Sequence, residues 1–405
     1  MCSRLAHHTG RGNMAKKRGN NEGSIIKRKD GLWMAQVTTG RDPQTGKPKR
    51  ATFYAKTRQA AAEQLAKALR ERQQGIFVAP HKMTLGEWLD TWLQEYKKPS
   101  LRPITFDSYE MLVRRHLVPA LGHISLRDLR PEHLQHFYNE KMQQGSSART
   151  VRYCHTLLHG ALAQAERHQL VARNVSTLTE LPRESRKEMH TLTLEQVAAK
   201  LLPAIAQDRL FAAIFLAFGT GLRRGELLAL RWKDVDVKAG TLHVRQTLVR
   251  VTNHNATEGE GRTRLMFQEP KTPQSRRTVP IPEECLAALQ QHKARQAAEK
   301  LLLGQAYQDH GLVFCQADGK PIDPRNFLRS FERMIEQAEL PPIRFHDTRH
   351  TFATLMLELG ESPKTVQTML GHSRVAITLD IYSHVSLELE KKAAAKLNAA
   401  LTGKR

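Results

Sequence analysis

His346 to Tyr382 reads HDTRHTFATLMLELGESPKTVQTMLGHSRVAITLDIY. Phe352, Leu355, Met356 and Leu359 recur at i, i+3, i+4 and i+7, which predicts a helix with one buried stripe. Gly360 follows as its stop. His346 and Arg349 are three apart and share a face near the start of that helix. Ser362 and Pro363 predict the cap and first residue of a second helix, with Val366, Met369 and Leu370 facing inward. Gly371 ends it, and His372 sits just past the end. Ser373 can cap a third helix carrying Tyr382. Two imidazoles, a guanidinium and a phenol thus lie on short elements that fold back on each other.

That set suits phosphoryl chemistry. Arginine clamps phosphate oxygens with two parallel hydrogen bonds. Histidine donates a hydrogen bond or moves a proton near neutral pH. Tyrosine serves as a nucleophile and splits one hard step into two. The residues His346, Arg349, Leu370-Gly371-His372 and Tyr382 resemble the second box of the tyrosine recombinases, the phage-type integrases. Upstream, Thr220-Gly221-Leu222-Arg223-Arg224-Gly225-Glu226-Leu227 resembles the first box of the same family. The resemblance makes Arg223 catalytic and gives Glu226 the task of holding it. An isolated Arg-Glu pair is worth little at a surface, so the flanking match carries this reading.

Between the boxes, Thr241 to Thr252 reads as strand. Met266 to Lys271 and Arg277 to Ile281 read as a hairpin, joined by Thr272 to Arg276. Arg277, Val279 and Ile281 alternate onto one face, and Asn253 to Arg264 reads as a polar loop. The family places a catalytic lysine in such a hairpin, and here that position is Lys271.

Composition agrees with a polyanionic partner. The 405 residues carry 63 Lys+Arg against 40 Asp+Glu, a net charge of +23. Nucleic acid is the default partner for that balance, ahead of a membrane surface. The apolar run from Leu210 to Leu222 is too short to span a bilayer, and the first residues lack the apolar core of a signal peptide. Cys2, Cys154, Cys285 and Cys315 are far apart and read as reduced thiols of a cytosolic protein. The spacing of Gly40 to Lys47 is wrong for a phosphate loop, which excludes an NTPase. His346 and His350 have zinc-like spacing, but Asp347 replaces the glutamate of a zinc protease and Arg349 would repel a dication. His350 is therefore read as packing or support, and no metal is expected.

Residues 1–20 form a basic tail, read as disordered, in which Met14 is a second candidate start. Within 21–79, three strands and a helix capped by Thr57 are predicted, bearing Lys27, Arg28, Lys49, Arg50 and Lys56 as candidate DNA contacts. This unit resembles the arm-binding domain at the front of many integrases. Residues 80–175 read as four helices, opened by a Thr84/Glu87 capping box, with Arg149 and Arg152 as further DNA candidates. In place and pattern they resemble the core-binding domain. Residues 190–390 form the catalytic domain, opened by a Thr193/Gln196 capping box, and 391–405 a tail. The fold class expected is multidomain α+β, with a small three-stranded sheet plus helix, a four-helix domain, and a mainly α catalytic domain with a small antiparallel sheet.

The resemblance implies a recombinase that integrates or excises a phage or other mobile element. In it Tyr382 becomes a 3′-phosphotyrosine, Arg223 and Arg349 bind non-bridging oxygens, Lys271 protonates the 5′-oxygen, and His346 and His372 assist. It implies no cofactor, neither ATP nor metal. It implies double-stranded attachment sites as partners, a homotetramer on DNA, a host DNA-bending protein and an excisionase as accessories, no membrane, and a nucleoid-associated place in the bacterial cytoplasm. Two other classes fit parts of the pattern. A type IB topoisomerase shares the chemistry, but the separate arm-like domain favours recombination. Against an idle DNA-binding regulator stand intact residues at all six catalytic positions, and a helix-turn-helix reader at Ser362 to Val385 leaves Arg223, Lys271, His346 and Arg349 unexplained.

Overall fold

β1 (Ser24–Lys27), β2 (Trp33–Arg41) and β3 (Pro48–Ala55) form an antiparallel sheet in the order β1-β2-β3 in a computed structural model of the chain. The structure describes residues 23–41, 45–73, 82–184, 190–254, 256–257, 261–270, 275–371 and short pieces of 394–402. Side chains alternate across the sheet, as strand geometry demands. Ala35, Val37 and Ala51 are buried with Ala61, Leu65 and Ala68 of α1 (Arg58–Gln73). The Thr57 hydroxyl accepts from the Ala60 amide at 3.2 Å and so caps α1 as expected.

The next helices form their own core. α2 (Leu85–Thr91) opens on the predicted capping box, in which the Glu87 amide donates to Thr84 at 3.2 Å and the Thr84 amide to Glu87 at 2.8 Å. It continues into a π-helical stretch at Trp92–Lys97. α3 (Pro103–Leu112), α4 (Val118–Leu121), α5 (Pro131–Gln143) and α6 (Ala148–Arg167) follow. The Trp88 indole N–H donates to the Ala161 carbonyl at 2.9 Å, joining α2 to α6 without leaving a buried donor unmet. Met142, expected inside, is exposed, because α5 ends one residue later and its last turn faces out.

The chain divides between residues 185 and 186 into two compact units. In the second, Thr193 and Gln196 form the expected reciprocal cap. α7 (Leu202–Ala204), α8 (Phe211–Thr220) and α9 (Arg224–Ala229) precede the strands. β4 (Val235–Asp236), β5 (Thr241–Val244), β6 (Thr247–Thr252), β7 (Thr263–Gln268) and β8 (Arg277–Pro280) make two separate sheets. Their orders are β4-β5-β8 and β6-β7. α10 (Glu283–Leu303), α11 (Pro324–Gln337), α12 (Phe345–Glu358) and α13 (Pro363–Leu370) complete the unit. No described helix is long and apolar enough to cross a membrane.

Four sequence expectations are corrected here. β7 and β8 do not pair with each other: Leu242 of β5 faces Val279 of β8, while Leu248 of β6 faces Phe267 of β7. The stretch 241–252 is two strands, broken at Arg245-Gln246, so each half takes its own partner. Thr263 and Arg264 belong to β7, which shortens the polar loop. The stripe on α12 is also different. Leu359 is 73% exposed, and the buried face is instead Phe345, Thr348, Arg349, Phe352, Ala353 and Leu357. Arg349 and Thr348 lie on that face because their polar groups find carbonyl acceptors inside, so period counting over apolar residues alone missed the true face. Gly360 and Gly371 do stop α12 and α13, both at positive φ, and the Ser362 hydroxyl caps α13 by accepting from the Thr365 amide.

Candidate active site

Arg223 is the N-cap of α9, one residue after the turn that ends α8. Its side chain donates to Glu226 Oε1 at 2.8 Å, and its backbone amide to Glu226 Oε2 at 3.1 Å. Glu226 is buried and also meets Arg277 of β8, with Nη2 to Oε2 at 2.9 Å and Nη1 to Oε1 at 3.3 Å. Burial alone would raise the Glu226 carboxyl; Arg277 and then Arg223 outweigh it and hold the group below its usual range.

Arg349 projects from the buried face of α12 and is only 2% exposed. Its Nη1 donates to the Gly221 carbonyl at 2.8 Å, and its Nη2 to the Leu370 carbonyl. Burial first, then the charge of Arg223, presses the Arg349 guanidinium well below its usual value, while Glu226 opposes them. Arg223 Nη2 in turn reaches toward the Gly371 carbonyl at 3.5 Å. Arg349 is therefore fixed by the ends of α8 and α13, while Arg223 is held chiefly by Glu226. Gly221 sits at φ +62°, and a Cβ there would strike Leu370 and Phe352 at 2.5 and 2.7 Å. A side chain at this position would push the two helix ends apart.

His346 lies one turn before Arg349 on α12, at a cleft of about 1170 Å³ also lined by Arg223, Arg224, Thr247, Leu248 and Arg344. His346 is exposed at this cleft, yet its ring is crowded by that of His350. Desolvation there, then the His350 and Arg349 charges, push the imidazole down to about 4. The rings of His346 and His350 meet edge to face at 5.1 Å. Asp347 is taken up by Arg344, which donates from its amide, Nε and Nη2 at 2.9, 3.1 and 2.8 Å. Gly225 brings β6 against the start of α9; a Cβ there would lie 2.2 Å from the Thr247 hydroxyl and 2.9 Å from the Leu248 carbonyl.

Arg223, Glu226, His346 and Arg349 thus come together from two segments more than a hundred residues apart. Lys271, His372 and Tyr382, and the third helix expected around Tyr382, lie outside the described residues. Arg277 was read only as a strand residue. The signal was present: its alternation with Val279 and Ile281 aims a cation inward, and a buried cation needs a buried carboxylate.

The basic candidates of the first unit fall on different faces. Arg50 pairs with Thr38 on the sheet face away from α1, where Ile26, Met34 and Tyr54 also line up. Arg28 lies over the Tyr54 ring at 5.1 Å. Lys27 pairs with Trp33, a residue of the α1 side, and its ammonium stands 5.9 Å from that ring. Lys49 pairs with Gly40 beyond a bulge, and Lys56 lies between β3 and α1. On α6, Arg149 stacks over Tyr153 at 5.6 Å and Arg152 donates to the Pro182 carbonyl at 3.2 Å.

A family model described as the phage integrase family matches residues 190–388, and one described as the phage integrase N-terminal SAM-like domain matches residues 84–142. A tyrosine recombinase XerC-like protein of Caldanaerobacter subterraneus subsp. tengcongensis is 34% identical over 395 residues, covering 95% of this chain and 99% of its own. The chain belongs to the tyrosine recombinase family. This recombinase is an enzyme of site-specific DNA recombination, of the integrase type. Its fold is that of the Tn1549 transposon integrase in complex with transposon right end DNA, with a TM-score of 0.65 at 22% identity over 78% of this chain and 100% of that one. A lambda integrase tetramer bound to a Holliday junction matches with a TM-score of 0.55 at 20% identity, over 90% of this recombinase and 96% of that chain.

Proposed function

We propose that this recombinase cuts and rejoins the DNA of a mobile element at attachment sites through a covalent bond to Tyr382. The Tyr382 oxygen attacks the scissile phosphorus, and the bond from phosphorus to the 5′-oxygen breaks. The phenolic proton passes to His346 or His372, and Lys271 gives its proton to the leaving oxygen. Arg223 and Arg349 bind the non-bridging oxygens as charge builds there. The bond energy stays in the phosphotyrosine, so the reverse attack by a 5′-hydroxyl rejoins a strand.

The observation that carries this reading is a charge imbalance. Arg223 and Arg277 share the carboxylate of Glu226, and Arg349 close by is held by two carbonyls, so among the described residues one carboxylate pairs with this cluster of three guanidiniums. Such a place gains by taking in an anion, and a phosphodiester presents two non-bridging oxygens, sharing one negative charge, to a pair of forks. The domain plan we propose follows the sequence: residues 21–79 grip arm sites, 80–175 the core site, and 190–390 do the chemistry. The working assembly is a homotetramer, like that of the lambda integrase on its junction. A host DNA-bending protein and an excisionase set its direction, and it works on the nucleoid in the bacterial cytoplasm.

Tyr382→Phe tests the assignment. The variant should bind a nicked attachment site as the unaltered protein does and form no covalent adduct on a denaturing gel. A persistent adduct would remove Tyr382 from the mechanism.

A further inference from the structure

β8 carries two apolar residues inward, Val279 in the strand and Ile281 just past it, and Arg277 takes the next inward position with a side chain 6% exposed. A cation there is costly unless its donors are met. They are met by three separate segments. Nη2 and Nη1 fork onto Glu226 at the start of α9, Nη1 also donates to the Ser275 carbonyl at 3.2 Å, and Nε donates to the Met369 carbonyl at 2.7 Å. Each segment adjoins a residue of the proposed chemistry: Arg223 beside Glu226, Lys271 just upstream of Ser275, and His372 just beyond Met369.

Arg223 has little else to hold it. Apart from Glu226, its described side-chain contact is the long one to the Gly371 carbonyl. The direction of its guanidinium is therefore set by Glu226, and the two oxygens of Glu226 are set by the Arg277 fork. Removing Arg277 would free the carboxylate to turn fully onto Arg223 and would let burial pull its proton affinity upward. Both changes loosen or misdirect Arg223.

We infer that Arg277 is a positioning residue for strand cleavage, which holds Glu226 and through it aims the Arg223 guanidinium at the phosphate, in register with the end of α13. This rests on Arg223 binding the scissile phosphate. Arg277 itself, walled in by Glu226 and two carbonyls, does not touch the DNA.

The test is a cycle of full-length variants: Arg277→Met, Arg277→Lys, Arg223→Ala, and Arg223→Ala with Arg277→Met. Melting curves fix a temperature at which each is folded, and single-turnover cleavage of a nicked site is read there at saturating protein. Arg277→Met should cleave about 100-fold more slowly, the scale of a displacement near 1 Å at a reacting group. Adding Arg277→Met to Arg223→Ala should slow cleavage no further, because the aimed group is already gone. Defects that multiply, or a folded Arg277→Met that cleaves normally, would overturn the inference. If Arg277→Met does not fold, Arg277→Lys decides: it keeps the buried charge and loses the fork, so it should cleave slowly with unchanged DNA affinity, and a normal rate would count against the inference. Normal cleavage by Arg223→Ala alone would remove the premise, and that outcome is visible in its own arm.

Discussion

The charges of the second unit and those of the front sheet are held in opposite ways. Arg349, Arg277 and Glu226 are almost wholly buried, and fixed partners hold each of them: two backbone carbonyls for Arg349, and Glu226 with two carbonyls for Arg277. Lys27 and Arg28 stand at the surface, steadied by the rings of Trp33 and Tyr54 rather than by carboxylates alone. Burial fixes direction, which the proposed chemistry at a single phosphorus atom requires. Exposure leaves long side chains free, as the proposed contact with a backbone of many phosphates would need. On this proposal the same residue types do two jobs, told apart by solvent.

The sharpest way to break this contrast is Arg349→Ala beside Arg28→Ala. Loss of a preorganised charge at a transition state costs on the order of 100- to 1000-fold, so Arg349→Ala should lose that much single-turnover cleavage. Arg28→Ala should leave core-site cleavage unchanged and stability within about 0.5 kcal/mol, as read by denaturant melts. Comparable cleavage losses in both would erase the distinction.

The next effect is selective. Lys271→Ala should be severely slow on ordinary DNA, yet near normal when the bridging 5′-oxygen is replaced by sulfur. A thiol has a pKa of about 8.5 and leaves without a proton donor. Arg223→Ala and Arg349→Ala should stay slow on both substrates, since the swap leaves the non-bridging charge in place. If sulfur fails to rescue Lys271→Ala, another group is the acid, and His346 is the first to try.

On the front sheet the expected change is smaller. Arg50 faces away from α1 and Lys27 does not, so Arg50→Ala should weaken arm-DNA binding more than Lys27→Ala. Losing one phosphate contact should lower the slope of log affinity against log salt by about 1. Equal losses would mean that the open face is not the DNA face.

The smallest effect concerns pH. In the protein without DNA, His346 is pushed from 6.5 to about 4, chiefly by burial, so the unfolded chain binds its proton more readily between those values. The stability this group contributes is therefore full above pH 6.5 and lost as pH falls toward 4. Melting temperatures of the unaltered protein should fall more steeply across that window than those of His346→Gln. Parallel curves would show that His346 titrates as if exposed.

Much of the site was legible because its markers are local. Caps at Thr84, Thr193 and Ser362, stops at Gly360 and Gly371, and the spacing of His346 from Arg349 depend on a few neighbouring residues. What escaped was set by distant partners. The pairing of β8 with β5 rather than β7 depends on which strands reach one another in space. Leu359 fits a helical period but lies outside, while Arg349 breaks the apolar pattern and lies inside because Gly221 and Leu370 offer it carbonyls. Arg277 went unnoticed for the same reason, since its carboxylate is 51 positions away.

The carbonyls that the site's three arginines reach have a consequence for synthesis. Arg349 is tied to Gly221 across 128 positions, Arg223 to Gly371 across 148, and Arg277 to Met369 across 92. Contacts of such separation form late, after the loops between them have closed. A ribosome that has released everything up to α11 has made a first box with nothing to close it. An abandoned chain of that length would carry Arg223 and Glu226 without the carbonyls of Leu370 and Gly371. If the proposed chemistry holds, the capacity to cut is completed only by the end of the chain, together with the means to reseal.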